Sequence, residues 1–219
     1  MKKEDDVRTR RFVFGAAFVL AALLIAPVHG QVGKGSLMDF NVAAEKDLAA
    51  LPGMTPAMAK AIVDKRPFAS ITDVNALLLA QGLTAAQATA IYDKAFIHLD
   101  LNTCTLDEIG LIPRAARMKI EYPEYRPWKT FAQFDANIGK YVRSTPGELD
   151  RLRSYVFIAM NVNAATDDDL MTIPGMTPKT LGAIKQGRPW KTREQFATDV
   201  AKASNAKEAG RVWRYLVIQ

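Results

Sequence analysis

Landmarks recur every 61 residues along this 219-residue chain, and no other feature restricts its fold as strongly. Asn41, Asn102 and Asn163 keep that interval, as do Pro52, Pro113 and Pro174. The triplets Arg66-Pro67-Phe68, Arg126-Pro127-Trp128 and Arg188-Pro189-Trp190 follow it within one residue. A fixed period of this length means that one supersecondary unit has been copied in tandem. Three units are expected, over residues 38–99, 100–160 and 161–219.

Each unit reads as about four short helices, so the fold class is all-α. In the first, Glu45 to Leu51 forms a helix that Pro52 and Gly53 break, and Thr55 with Pro56 restart the chain as N-cap and first-turn proline. The second helix runs from Pro56 to Lys65, with Met58, Ile62 and Val63 on one face. It ends where Arg66 precedes a proline. A third helix spans Ile71 to Ala80, and Thr84 opens a fourth reaching about Phe96. The fourth helix of the later units restarts at Ser144–Pro146 and at Ser204–Asn205. Thr105 with Glu108 and Thr166 with Asp169 have the spacing of capping boxes, while Ala44 stands where the first unit would have its cap. Asp167, Asp168 and Asp169 suit a helix start, not a metal site. The alternating stretches Ile97-Leu99-Leu101 and Ile158-Met160-Val162 read as extended linkers or brief strands, with a sheet unexpected. No Gly/Ser-rich or Pro-rich linker separates the units, so they are expected to pack in a row.

The first 30 residues have a different character. Lys2, Lys3, Arg8, Arg10 and Arg11 precede an uninterrupted apolar run from Phe12 to Pro27. That order is the one a secretory signal uses, and Val28 and Gly30 have the small-residue spacing of a cleavage site before Gln31. If uncleaved, residues 12–28 would anchor the chain in the inner membrane, with the remainder in the periplasm or outside the cell. A buried core helix would need an amphipathic stripe, which this run lacks.

Composition then removes several function classes. Cys104 is the only cysteine and His29 and His98 the only histidines, so neither a disulfide, a zinc site nor a serine-histidine triad can be assembled readily. No metal, cofactor or catalytic residue is expected, and the chain is read as a non-enzyme. The net charge of +6 is modest. Residues 161–219 carry 9 basic and 6 acidic groups, enough to attract an anion but short of a strongly basic nucleic-acid domain. Lys185, Arg188, Lys191, Arg193, Arg211 and Arg214 are read as a solvated basic face. Phe68, Trp128 and Trp190 are read as core plugs.

Leu51-Pro52-Gly53-Met54-Thr55-Pro56 recurs as Ile173-Pro174-Gly175-Met176-Thr177-Pro178. With Asn41, Ala43, Arg66 and Phe68, and with Asn163, Ala165, Arg188 and Trp190, these residues make residues 38–219 resemble the helix-hairpin-helix family, specifically its tandem ComEA type. That resemblance implies non-specific binding of the double-stranded DNA backbone during DNA uptake. The candidate residues are Gly53, Met54, Thr55 and Lys60 in the first hairpin, and Gly175, Met176, Thr177 and Lys179 in the third. The chemistry is that of bare amides beside a positive-φ glycine at a helix N-terminus, which suit a phosphate oxygen. The same glycine and proline would be needed simply to turn one helix into the next. The middle hairpin, Ile112-Pro113-Arg114-Ala115-Ala116, lacks the glycine and is expected to have lost phosphate binding. The chain is also similar to the extrinsic twelve-kilodalton protein of photosystem II, through the run from Arg66 to Thr84. That likeness implies an alternative, a protein scaffold or extrinsic subunit of a membrane complex.

Overall fold

The computed structural model describes residues 32, 33, 35 and 37–219. The proposed signal or anchor, residues 1–30, lies outside them. Among the described residues the chain is mostly helical, with twelve helices and three short strand pairs. No helix among them is long and apolar enough to cross a membrane.

The strands organise everything else. β1 (Met38–Asp39) is followed by α1 (Glu45–Ala49), α2 (Pro56–Lys65), α3 (Ile71–Ala80) and α4 (Ala85–Tyr92), and the segment ends in β2 (Ala95–Phe96). β3 (Leu99–Asp100), α5 (Leu106–Gly110), α6 (Met118–Glu124), α7 (Phe131–Val142), α8 (Glu148–Arg153) and β4 (Val156–Phe157) repeat the order. β5 (Met160–Asn161), α9 (Asp167–Met171), α10 (Pro178–Gln186), α11 (Arg193–Ala203), α12 (Ala206–Trp213) and β6 (Leu216–Val217) complete it. In each segment the first and last strands pair in parallel, as in Leu99 with Val156 and Asp100 with Phe157. Parallel pairing demands a long crossover, and the four helices supply it.

Of the two readings of the alternating stretches the structure takes brief strands, and it corrects the expectation that they would not pair. Ile97, Leu99, Leu101, Ile158, Met160 and Val162 are all buried, so their peptide groups need partners away from water. The parallel pairs provide them: Leu99 N–H donates to the Tyr155 carbonyl (2.8 Å) and Met160 N–H to that of Tyr215 (2.9 Å). For the same reason α4 stops at Tyr92, short of the expected Phe96, because Ala95 and Phe96 are drawn into β2.

Helix boundaries otherwise follow local chemistry. α2 and α3 occupy the expected spans, and Thr55, Ser70 and Thr84 accept N-terminal amide hydrogens with their side chains. Both expected capping boxes, at Thr105 with Glu108 and Thr166 with Asp169, are formed. Ala44 precedes α1 without a side-chain cap.

A polar lock recurs three times beneath this framework. The Asn41 amide donates to the Phe68 carbonyl (3.0 Å) and its oxygen accepts the Phe68 N–H (2.7 Å). Asn102 holds Trp128, and Asn163 holds Trp190, in the same two-way manner. The arginine before each proline reaches back to the same turn. Arg66 donates to the Phe40 and Ala43 carbonyls, Arg126 to Leu101 and Cys104, and Arg188 to Val162 and Ala165, at 2.6–2.8 Å. Phe68, Trp128 and Trp190 are buried as expected, at 6%, 2% and 1% exposure. The indoles of Trp128 and Trp190 donate to the carbonyls of Tyr122 and Ile184.

The segments do not pack in a row. One apolar core runs through the first and second, and another fills the third. In a row the third segment would touch only the second; here it folds back on the first. The Tyr215 hydroxyl donates to Asp39 Oδ2 (3.0 Å), which also meets His98 Nδ1 (3.0 Å). Arg214 donates to the carbonyls of Ala69 and His98. Burial alone would raise the Asp39 pKa, but the His98 hydrogen bond and charge, the Asn41 N–H and the Arg214 charge outweigh it and leave it lowered.

Two outcomes follow from these contacts. Asn163→Ala strands the buried Trp190 peptide groups and should cost about 1–3 kcal/mol in chemical denaturation, whereas exposed Lys191→Ala should stay within about 0.5 kcal/mol. Because the folded Asp39 pKa lies below its unfolded value of 3.8, its stabilisation is complete above that value and fades as pH falls through the lower folded one. Asp39→Asn should therefore destabilise the protein clearly at about pH 7 and much less at about pH 2.

Candidate nucleic-acid interface

The first hairpin turn is built so that its amides face outward. Gly53 takes φ = 76°, and an added Cβ there would meet nothing closer than a Leu83 methyl at 3.8 Å. Met54 is buried and spends its N–H on the Leu51 carbonyl (3.0 Å), so it anchors the turn and cannot contact a ligand through that group. Thr55 is exposed, and its hydroxyl accepts the Met58 N–H (3.2 Å). Pro56 removes one donor from the first turn of α2. The amides of Gly53 and Thr55 then have no acceptor among the described residues, at the positive end of a ten-residue helix. Lys60 lies one turn further along and gives its ammonium to both oxygens of Asp64 (3.0 and 2.9 Å), which raises its pKa. Its ammonium is paired where the sequence suggested a free contact.

The third hairpin has the same turn with different surroundings. Gly175 takes φ = 70°, Met176 N–H donates to Ile173, and Thr177 caps α10. A Cβ on Gly175 would stand 2.6 Å from Val42 Cγ1 and 3.4 Å from Arg211 Nη2. The Pro174 carbonyl accepts a hydrogen bond from Arg211. The loop therefore leans on the first segment, although Lys179 at the start of α10 is exposed and has no ion pair among the described residues. In the middle hairpin Arg114 occupies the glycine's place at φ = 57°, and its guanidinium pairs with both oxygens of Asp93 (3.0 and 3.1 Å).

The expected basic face is largely dismantled by packing. Arg188 belongs to a polar lock, and Arg211 is 5% exposed between Glu208 and Pro174. Arg214 clasps the first segment, and Lys185 pairs with Asp167 (2.7 Å). Lys191 and Arg193 remain exposed. The arginines before proline keep the repeat, so the sequence carries a signal for these locks beyond the helix end that the proline alone explains. Asp169 caps α9, as expected of a helix start. Cys104 is buried, and burial pushes its thiol up to about 11 despite the adjacent Arg126 guanidinium. Among the described residues no His, Cys, Asp and Glu cluster could hold a metal ion.

Residues 33–93 match the helix-hairpin-helix motif. That stretch runs from before β1 to just past α4 and contains the open Gly53 turn between α1 and α2; the motif is associated in general with nucleic-acid binding. No curated protein and no solved structure matches the chain.

The two glycine turns should respond differently to the same change. Gly53→Ala pays only the left-handed backbone cost, about 1–2 kcal/mol in chemical denaturation. Gly175→Ala adds the clash with Val42, about 1–3 kcal/mol more. Val42→Ala in the same chain should recover part of the second loss and none of the first.

Proposed function

We propose that this chain is an exported or membrane-anchored tandem helix-hairpin-helix protein that binds the backbone of double-stranded DNA without reading its sequence, in the manner of ComEA-type uptake proteins. The three strand-bracketed segments are taken as three copies of the unit over 38–99, 100–160 and 161–219. The export signal or anchor is residues 1–30, with residues 12–28 in the inner membrane if uncleaved and the rest in the periplasm or outside the cell. The protein acts by binding, not by catalysis. One observation carries the reading: among the described residues the amides of Gly53 and Thr55 have no acceptor, at the head of α2 on an exposed loop. Two such donors and a helix dipole suit one phosphate, and contacts of this kind position a protein without specifying a base.

With the middle hairpin tied to Asp93 and the third leaning on Val42, the first does most of the binding. Few phosphates are then neutralised, so affinity is weak and log K falls with log salt at a slope of only about −1 to −2. The test is a titration of two unrelated duplexes at about 50 mM and about 200 mM salt. Both duplexes should bind alike. Gly53→Asp, which tolerates the left-handed backbone but brings a carboxylate, should weaken binding about tenfold or more, while Gly53→Asn should largely keep it. Binding unchanged in Gly53→Asp, or absent from the native chain, would refute the reading.

Side-chain contacts at the other two hairpins favour a second reading, a non-enzymatic scaffold or extrinsic subunit of a membrane complex. Here the same turns already grip protein, through Arg114 on Asp93 and Gly175 on Val42. Stoichiometric recovery with a membrane complex in mild detergent would support it, and recovery only as a free monomer would count against it.

A further inference from the structure

The fold-back of the third segment creates a cleft of about 620 Å³ against the Arg66-Pro67-Phe68 turn of the first. Phe68, Ala69 and Thr103 line one side, and Arg193, Trp213 and Arg214 the other. No carboxylate lines it. The nearby acids are engaged elsewhere: Asp100 accepts the Thr103 hydroxyl (3.0 Å) and the Asn102 N–H, and Glu208 holds Arg211, which also borders the cleft. Arg193 is exposed and has neither an ion pair nor a side-chain hydrogen bond among the described residues. It also opens α11, where the helix dipole disfavours a cation. Arg214 gives Nε and Nη2 to carbonyls, its Nη1 is buried, and its charge acts on Asp39 and Asp100, so it lends the cleft wall a positive field without offering a free guanidinium. The Trp213 indole is half-buried, packs on Phe196 at 4.8 Å, and its N–H finds no acceptor among the described residues.

We infer that this cleft is a second ligand site that takes a nucleoside phosphate, with the anionic group on Arg193, in the field of Arg214, and the base against Trp213. An exposed, unpaired guanidinium with no carboxylate in the same cleft selects an anion. An indole wall selects a planar ring, because every base offers a π-face. The volume lies in the range of small-molecule sites. The site is separate from the Gly53 hairpin and does not depend on its binding DNA. A free mononucleotide and a nucleotide within a single strand present the same chemistry, and the experiment separates them.

The experiment is calorimetric titration of the full chain with thymidine monophosphate, thymidine, inorganic phosphate and a short oligothymidylate. Thymidine monophosphate or the oligonucleotide should bind, with thymidine and phosphate each about tenfold weaker or more. Tighter binding of the oligonucleotide than of the mononucleotide assigns the site to single strands, and the reverse to free nucleotides. Arg193→Glu should abolish binding, and it should fold normally because an acid suits the first turn of α11. Arg193→Lys should restore part of the affinity, and Trp213→Leu should remove the preference over phosphate. Absence of binding, equal affinity in Arg193→Glu, or phosphate binding as tightly as the mononucleotide would each overturn the proposal.

Discussion

The fold depends on one polar arrangement made three times. An asparagine amide and an arginine guanidinium reach from opposite ends of a turn pair and tie the strand that begins each segment to the Arg-Pro-aromatic turn some 25 residues later. The asparagine satisfies both peptide groups of the aromatic residue, and the arginine satisfies two carbonyls of the entering loop. The buried ring is thus held at its backbone as well as by its packing. Four helices of 5 to 12 residues are too short to persist alone. Between a lock at one end and a parallel strand pair closing the other, they have only one way to pack.

Closure continues above the single segment. Asp39, at the first strand, accepts from His98 at the junction of the first two segments and from Tyr215 at the end of the third, so one buried carboxylate joins chain regions 176 residues apart. Arg214 adds two carbonyl contacts beside it. That closure has a functional consequence, because it brings Val42 against Gly175 and Arg211 against Pro174. The third hairpin lies against Val42 and Arg211 and the middle one sends the Arg114 guanidinium to Asp93, whereas the first has neither kind of contact among the described residues.

Much of this was legible in the residues. The 61-residue period, the capping threonines, the α2 and α3 boundaries and the burial of Phe68, Trp128 and Trp190 all rest on local chemistry or on repetition, which a sequence displays directly. What was not legible depends on contacts across segments. The stretches around Leu99 and Met160 become strands only because partners about 57 residues away supply their hydrogen bonds. Arg211 and Arg214 look like surface cations until the third segment folds back, and Gly175 looks identical to Gly53 until Val42 arrives. Lys60 carried a warning in the sequence: Asp64 stands four residues on, the spacing of a helix ion pair.

The account turns on a division of labour among three similar hairpins, and backbone amide resonances read it directly. On addition of duplex DNA to the isotopically labelled protein, the amide signals of Gly53 and Thr55 should move most, with those of Arg114 and Gly175 nearly still. Shifts centred on Gly175 or Arg114, or no shift at Gly53 under conditions where DNA binds, would contradict it.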